Sequence, residues 1–229
     1  MPTRLDFDEI RALAGDIYAE VQDEPKQVQR KRICDWFEEM LIDAYIAGLE
    51  STGLPIDPVF DPETANRILH KKIDGKTYVD RLITHIENGD AGRIENLAES
   101  ESHRVSEAGA YETAKQAQEQ FNRQAREEIL ARSKNAPYTP QNESQRASQR
   151  ASSGMRGVRP VPGARVVEKV WATMEDERVR TTHEFLDGVG VPLDALFFTI
   201  DGDSARYPGD FAKAENTCGC RCWLEYRVR

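Results

Sequence analysis

Lys169-Val-Trp171, Asp176-Glu-Arg178-Val-Arg180-Thr-Thr-His183-Glu-Phe-Leu-Asp187-Gly188, Tyr207-Pro208-Gly209-Asp210 and Asn216-Thr-Cys218-Gly-Cys220-Arg221-Cys222 crowd into the last sixty-odd residues of the chain. Around them the pattern is strand-like. Val166, Val167, Val170 and Trp171 open with β-rich composition, and Leu196-Phe-Phe-Thr-Ile200 is a short apolar run between Pro192 and Asp201-Gly202. Cys220, Cys222, Leu224 and Tyr226 then alternate with polar positions to the end, as a half-buried strand requires. A polar turn or single helix carrying Arg180 and His183 lies between the first two strands. These features predict a small α+β domain over 164–229 with an antiparallel sheet.

Upstream the period changes to that of helices. Leu5, Ile10, Leu13, Ile17 and Val21 recur at helical spacing, and a second stripe runs from Val28 through Ile33, Trp36 or Phe37, Met40, Leu41, Ala44 and Tyr45 to Leu49. Asp61-Pro62 reads as an N-cap followed by proline in the first turn, opening a short helix through Ile68, Leu69 and Ile73. Another follows with Tyr78, Val79, Leu82, Ile83 and Ile86. From about 91 to 134 there is no proline, and apolar or small residues recur from Ile94 to Ile129, so one long helix, or two broken near Gly109, is expected. Its seam is narrow and its back heavily charged. Such a seam needs a partner surface.

Residues 136–163 are rich in Pro, Ser, Gln, Arg and Gly and include the repeat Ser144-Gln-Arg-Ala, Ser148-Gln-Arg-Ala, a composition that cannot build a core. The organisation predicted is therefore an elongated α+β molecule: a helical region 1–135, a flexible linker, and the small C-terminal domain. The net charge of −9 excludes the chain as a whole from nonspecific nucleic-acid binding. Between Lys134 and Arg165, however, Lys134, Arg146, Arg150, Arg156, Arg159 and Arg165 face only Glu143. That segment reads either as a solvated linker or as an arm whose Arg146, Arg150, Arg156 and Arg159 contact nucleic acid. No apolar run reaches bilayer length and the N-terminus lacks a secretory layout, so a cytosol-like compartment and no membrane partner are expected.

Two constellations carry chemistry. Arg180, His183 and Asp187 are three and four residues apart, and on a helix they would share a face as anion clamp, acid or base, and orienting carboxylate. The same His and Asp spacing arises as a structural hydrogen-bonding pair. In an extended strand Cys218, Cys220 and Cys222 would point to one side, where Cys220, Cys222 and His183 could hold a structural zinc with Asp176, Asp187 or Cys218 as fourth ligand. The alternative is a set of buried thiols. Cys34, alone in a helical stripe, reads as a small core residue.

The order Lys-x-Trp, Asp-x-x-x-Arg-x-x-His-x-x-x-Asp-Gly, Pro-Gly-Asp and a closing Cys-Arg-Cys resembles the C-terminal domain of the phage Mu F-like minor head proteins, also called phage head morphogenesis proteins. The resemblance rests on Lys169, Trp171, Asp176, Arg180, His183, Asp187, Gly188, Asn216, Cys220, Arg221 and Cys222. Cys218 and the long insert before the domain depart from the pattern. It implies a minor capsid protein that works in head assembly beside the portal protein, stays in the capsid interior after assembly in the host cytoplasm, and influences DNA packaging or ejection. A phage-delivered nuclease or toxin-like effector using Arg180, His183 and Asp187 is the competing class. Such effectors usually occupy an added domain, and this chain ends one strand after Cys-Arg-Cys, so no enzyme is expected.

Overall fold

A single helix, Ala91–Asn135, organises the protein. At about 1.5 Å per residue it is on the order of 68 Å long, and it runs unbroken through Gly109, so of the two expectations for this stretch the continuous one holds. In the computed structural model residues 6–135, 160–174, 176–177 and 179–229 are described. Nearly all of the 136–163 segment, with Arg146, Arg150, Arg156 and Arg159, lies outside the described residues, as does Arg178.

Four helices precede this one, and we number them in chain order: α1 (Phe7–Val21), α2 (Lys26–Glu50), α3 (Pro62–Leu69) and α4 (Tyr78–Asn88), with Ala91–Asn135 as α5. Local chemistry sets their ends. The Asp6 carboxylate accepts from the amides of Asp8 and Glu9, Asp61 accepts from Glu63 with Pro62 behind it, and Thr77 with Asp80 forms a reciprocal capping box. The helix expected to reach Ile73 stops at Leu69. Ile73 instead pairs with Lys76 across a turn in which Asp74 and Gly75 both have positive φ.

Helix α1 runs back along α5, with Phe7 against His103 and Arg11 bonded to Glu95 and Glu99. Its buried side is Ala14, Tyr18 and Val21, and Leu13, expected in the stripe, is exposed. Helix α2 lays Ile33, Phe37, Leu41, Ala44 and Tyr45 into the core, while Val28 stays exposed. Gly48 and Gly109 let α2 and α5 meet backbone to backbone, since a Cβ at Gly48 would stand 2.0 Å from the Ser106 carbonyl oxygen.

The C-terminal part contains β1 (Val167–Thr173), a single-turn helix α6 (Thr181–Glu184), β2 (Gly190–Pro192), β3 (Phe197–Phe198), β4 (Ser204–Ala205), a second short helix α7 (Ala214–Thr217) and β5 (Cys222–Val228). Strands order as β2-β1-β5, all antiparallel, with Trp171 opposite Leu224 and Thr173 opposite Cys222; β3 and β4 form a separate hairpin. The α+β class is as expected.

The seam of α5 finds its partner within the chain. Besides α1, α2 and α4, it meets β1 and β5. Gln118, wholly buried, donates to the Arg165 carbonyl and accepts from the Val167 amide, Tyr111 donates to the Leu193 carbonyl, and Glu107 accepts from the Leu224 amide. Polar side chains of the helix thus satisfy strand and loop backbone that would otherwise be buried unpaired. Apolar residues of both parts, from Val21 and Phe37 to Trp171 and Phe211, form one continuous core. From Arg126 to Arg132 the helix has left that core and its side chains are mostly exposed.

Candidate functional site

His183, Cys220 and Cys222 converge in the C-terminal core. Each is buried, and one ligating atom from each lies within 4.8 Å of the others. The His183 Nδ1 is 3.5 Å from the Cys220 Sγ and 3.5 Å from the Cys222 Sγ. His183 is carried by α6, whose one turn begins at Arg180, and Cys222 is the first residue of β5, opposite Thr173 of β1. Aromatic rings wall the histidine. Phe211 stacks on it at 5.0 Å and Trp171 meets it edge-on at 5.8 Å, while Phe197 packs against Trp171. The hydrogen bond between the thiols holds Cys220 well below the ordinary thiol range, against the effect of burial and with help from His183, while the same bond and burial together push Cys222 up.

The third thiol does not join them. Cys218 ends α7, bonding its amide to the Ala214 carbonyl, and its Sγ lies 3.9 Å from Arg81 Nη1. The strand starts only at Cys222, and Gly219 turns the chain with φ of 65° between Cys218 and Cys220, so the alternation expected from an extended 218–222 segment fails. Asp176 pairs with Arg221 at 2.8 Å and Asp187 accepts from the Thr173 amide at 2.7 Å. Among the described residues, none of the three expected fourth ligands belongs to the cluster.

The shared face expected of Arg180, His183 and Asp187 also fails, because α6 is too short to align them. Arg180 precedes the helix and donates through Nη2 to the Cys218 carbonyl, His183 turns inward to the thiols, and Asp187 lies in the following turn. Gly188 then returns the chain to β1, donating to the Trp171 carbonyl at 2.8 Å. Each of the three is committed to a different part of the framework.

The remaining motif residues are also structural. Lys169 has no exposed surface; its Nζ donates to the Arg206 carbonyl at 2.7 Å and lies about 5 Å from the Tyr111 and Phe197 rings. Burial lowers its pKa to about 7. Asn216 donates to Asp201 and Asp203 and accepts from Thr182, fastening that loop beside His183. Asp201 is held well below the usual carboxylate range by Lys213 and Thr199.

Pro208-Gly209-Asp210 reaches furthest. The Asp210 carboxylate accepts from Lys71 Nζ at 2.7 Å and from the Arg206 amide at 3.1 Å. Gly209, with φ of 83°, lies so close to α5 that a Cβ would come within 2.7 Å of the Arg104 side chain. Beneath it sits a buried ion triad that sequence reasoning missed. Arg104 and Glu101, each 1% exposed, pair at 2.9 Å, and Arg81 Nη2 bonds the other Glu101 oxygen at 2.8 Å. A Glu and an Arg three apart on a charged helix look like a surface pair. The available signal was position: Glu101 and Arg104 fall between Leu97, Ala98, Val105 and Ala108 on the stripe.

No protein-family model and no solved structure matches the chain. Two curated proteins share short stretches with it. Minor head protein GP7 of Bacillus phage SPP1 is 37% identical over 62 residues, 27% of this chain and 20% of that protein. The NAD(+)--arginine ADP-ribosyltransferase EFV of Enterococcus faecalis (strain ATCC 700802 / V583) is 41% identical over 56 residues, 24% of this chain and 11% of that protein. The chain therefore spans about a fifth or less of the relatives it matches. Part of it is homologous to part of a phage minor head protein.

Proposed function

We propose that this protein is a phage minor head protein: a virion component that acts in head assembly beside the portal, remains in the capsid interior and takes part in DNA packaging or ejection. The observation that carries this reading is the 37% identity to the SPP1 minor head protein, joined to a C-terminal motif set of the Mu F-like kind. The geometry supports a scaffold role. Lys169, Asn216, Asp187 and Asp210 each fasten one segment of the C-terminal part to another or to the helical part. Full-length protein should be recovered in purified DNA-filled heads at low copy number. Its absence from heads of a phage that expresses it would overturn the assignment.

A nuclease or toxin-like effector is the weaker reading. Arg180, His183 and Asp187 do not converge on a common point where a substrate atom could sit, and a match covering 11% of a transferase carries no activity with it. No helix among the described residues is long and apolar enough to cross a membrane.

Packaged DNA is the second partner we assign, through Arg146, Arg150, Arg156 and Arg159. At the segment's end Arg165 is already engaged, its guanidinium 4.0 Å above the Phe121 ring. Binding to duplex DNA should be sequence-blind and salt-steep, with a log–log slope of about −0.9 per phosphate neutralised. Replacing the four arginines by Gln should flatten the slope by about three to four units. Equal binding of wild type and the quadruple variant at low salt would reduce the segment to a spacer.

A further inference from the structure

We infer that His183, Cys220 and Cys222 hold a zinc ion that locks α6 to the start of β5. The inference goes beyond the head-protein reading and rests on the trio alone. Zinc binds thiolate sulfur at about 2.3 Å and imidazole nitrogen at about 2.0–2.1 Å in a tetrahedron. Those lengths and the tetrahedral angle place nitrogen and sulfur about 3.6 Å apart, and both observed separations are 3.5 Å. Hydrogen bonding explains one of these contacts but not both, since Nδ1 can direct a single N–H at one sulfur. A cation between the three atoms engages all of them at once.

The surroundings fit a metal better than an ordinary polar cluster. His183 is 1% exposed, and Phe211 stacked on its ring and Trp171 edge-on to it hold Nδ1 toward the two sulfurs. Sulfur and imidazole donors suit zinc over calcium or magnesium, which take oxygen. The protein supplies three ligands, and water completes the tetrahedron. Cys220 is among the residues lining a groove of about 950 Å³ that Ser100, His103, Glu107 and Arg221 also border, which brings solvent to the edge of the trio. Structurally, the ion would join the helix carrying His183 to the strand paired with β1, in a region with few long elements of its own.

The test uses the full-length chain, purified with its thiols reduced, because the C-terminal part shares its core with the helices. Elemental analysis should find about one zinc per chain. Exchange into cobalt(II) should give thiolate-to-cobalt charge-transfer absorption with the intense visible bands of a tetrahedral site. Cys220→Ser, Cys222→Ser and His183→Ala should each lose stoichiometric zinc, whereas Cys218→Ser and Cys34→Ser should retain it. Should the first three variants fail to fold, the cobalt spectrum of the wild type and the reversal of chelator-induced melting by added zinc decide the matter alone. Folded, reduced wild type that contains no zinc and shows no cobalt charge-transfer band would overturn the inference. Retention of metal by Cys220→Ser alongside its loss from Cys218→Ser would also overturn it. Neither result bears on whether the protein is found in heads.

Discussion

Glu101→Ala should destabilise the fold by about 3–5 kcal/mol, because it removes the carboxylate that pairs with the buried Arg104 guanidinium. Arg104 is 1% exposed and donates to Glu101 through Nε and Nη2 at 3.0 and 2.9 Å; its other bonds go to the Ile68 and Leu69 carbonyls. A guanidinium cannot shed its proton to escape burial. Arg81 loses the same carboxylate. Carbonyl dipoles alone would then have to solvate a full charge under Gly209. Replacing Glu101 and Arg104 together by Met should cost less, since the fully buried charge is then gone and only Arg81, whose side chain is 17% exposed, is left without its carboxylate. Urea unfolding at neutral pH measures both. For a chain of this size each kcal/mol shifts the melting temperature by about 2–4 °C, so the single variant should melt well below the double. A single-variant loss under about 1 kcal/mol would mean that solvent reaches the site.

That triad also shows where sequence reading reaches its limit. Helix positions were legible because capping and periodicity are local: Asp61-Pro62 announced α3, the stripe from Tyr78 to Ile86 gave α4, and the proline-free run gave α5 nearly to its last residue. Which faces are covered depends on distant segments. Gln118 and Asn122 carry no periodic signal of their own, yet they bond the backbone around Val161 to Val167, and only the return of the chain after residue 160 reveals it. That Cys220, Cys222 and His183 come together was expected on one of two readings, zinc ligands or buried thiols, because thiol and imidazole suit the same ion. The place of Cys218 was not, because a positive φ at Gly219 reverses the facing that strand alternation assumes. Arg180, His183 and Asp187 were misread for a related reason. Spacing of three and four implies a shared face only if the helix lasts, and α6 ends at Glu184.

Gly109→Ala should cost about 1–3 kcal/mol and Gly109→Val more, even though either change removes a glycine from the middle of a helix. Two effects compete. Helix propensity favours alanine over glycine by about 1 kcal/mol. Against it, a Cβ at Gly109 would stand 2.4 Å from the Tyr45 carbonyl oxygen and 3.0 Å from the Leu49 amide nitrogen. Those are backbone atoms of α2, so no side chain can swing aside, and the two helices must separate along the contact that also contains Gly48. Separation would strain the bond from Thr113 to the Leu49 carbonyl, 2.7 Å long, and loosen Phe37, Leu41 and Tyr45 in the core. Packing therefore outweighs propensity. Gly92→Ala supplies the control, since it lies exposed in the first turn of the same helix with its nearest neighbouring atom 4.0 Å from an added Cβ. There propensity should act alone and stabilise by up to about 1 kcal/mol. Opposite signs for the two alanine variants in thermal unfolding are the expected result. Equal stabilisation at both sites would show that α2 and α5 do not meet through Gly109, and with that contact would fall the explanation of why α5 carries a glycine at the centre of its longest buried face.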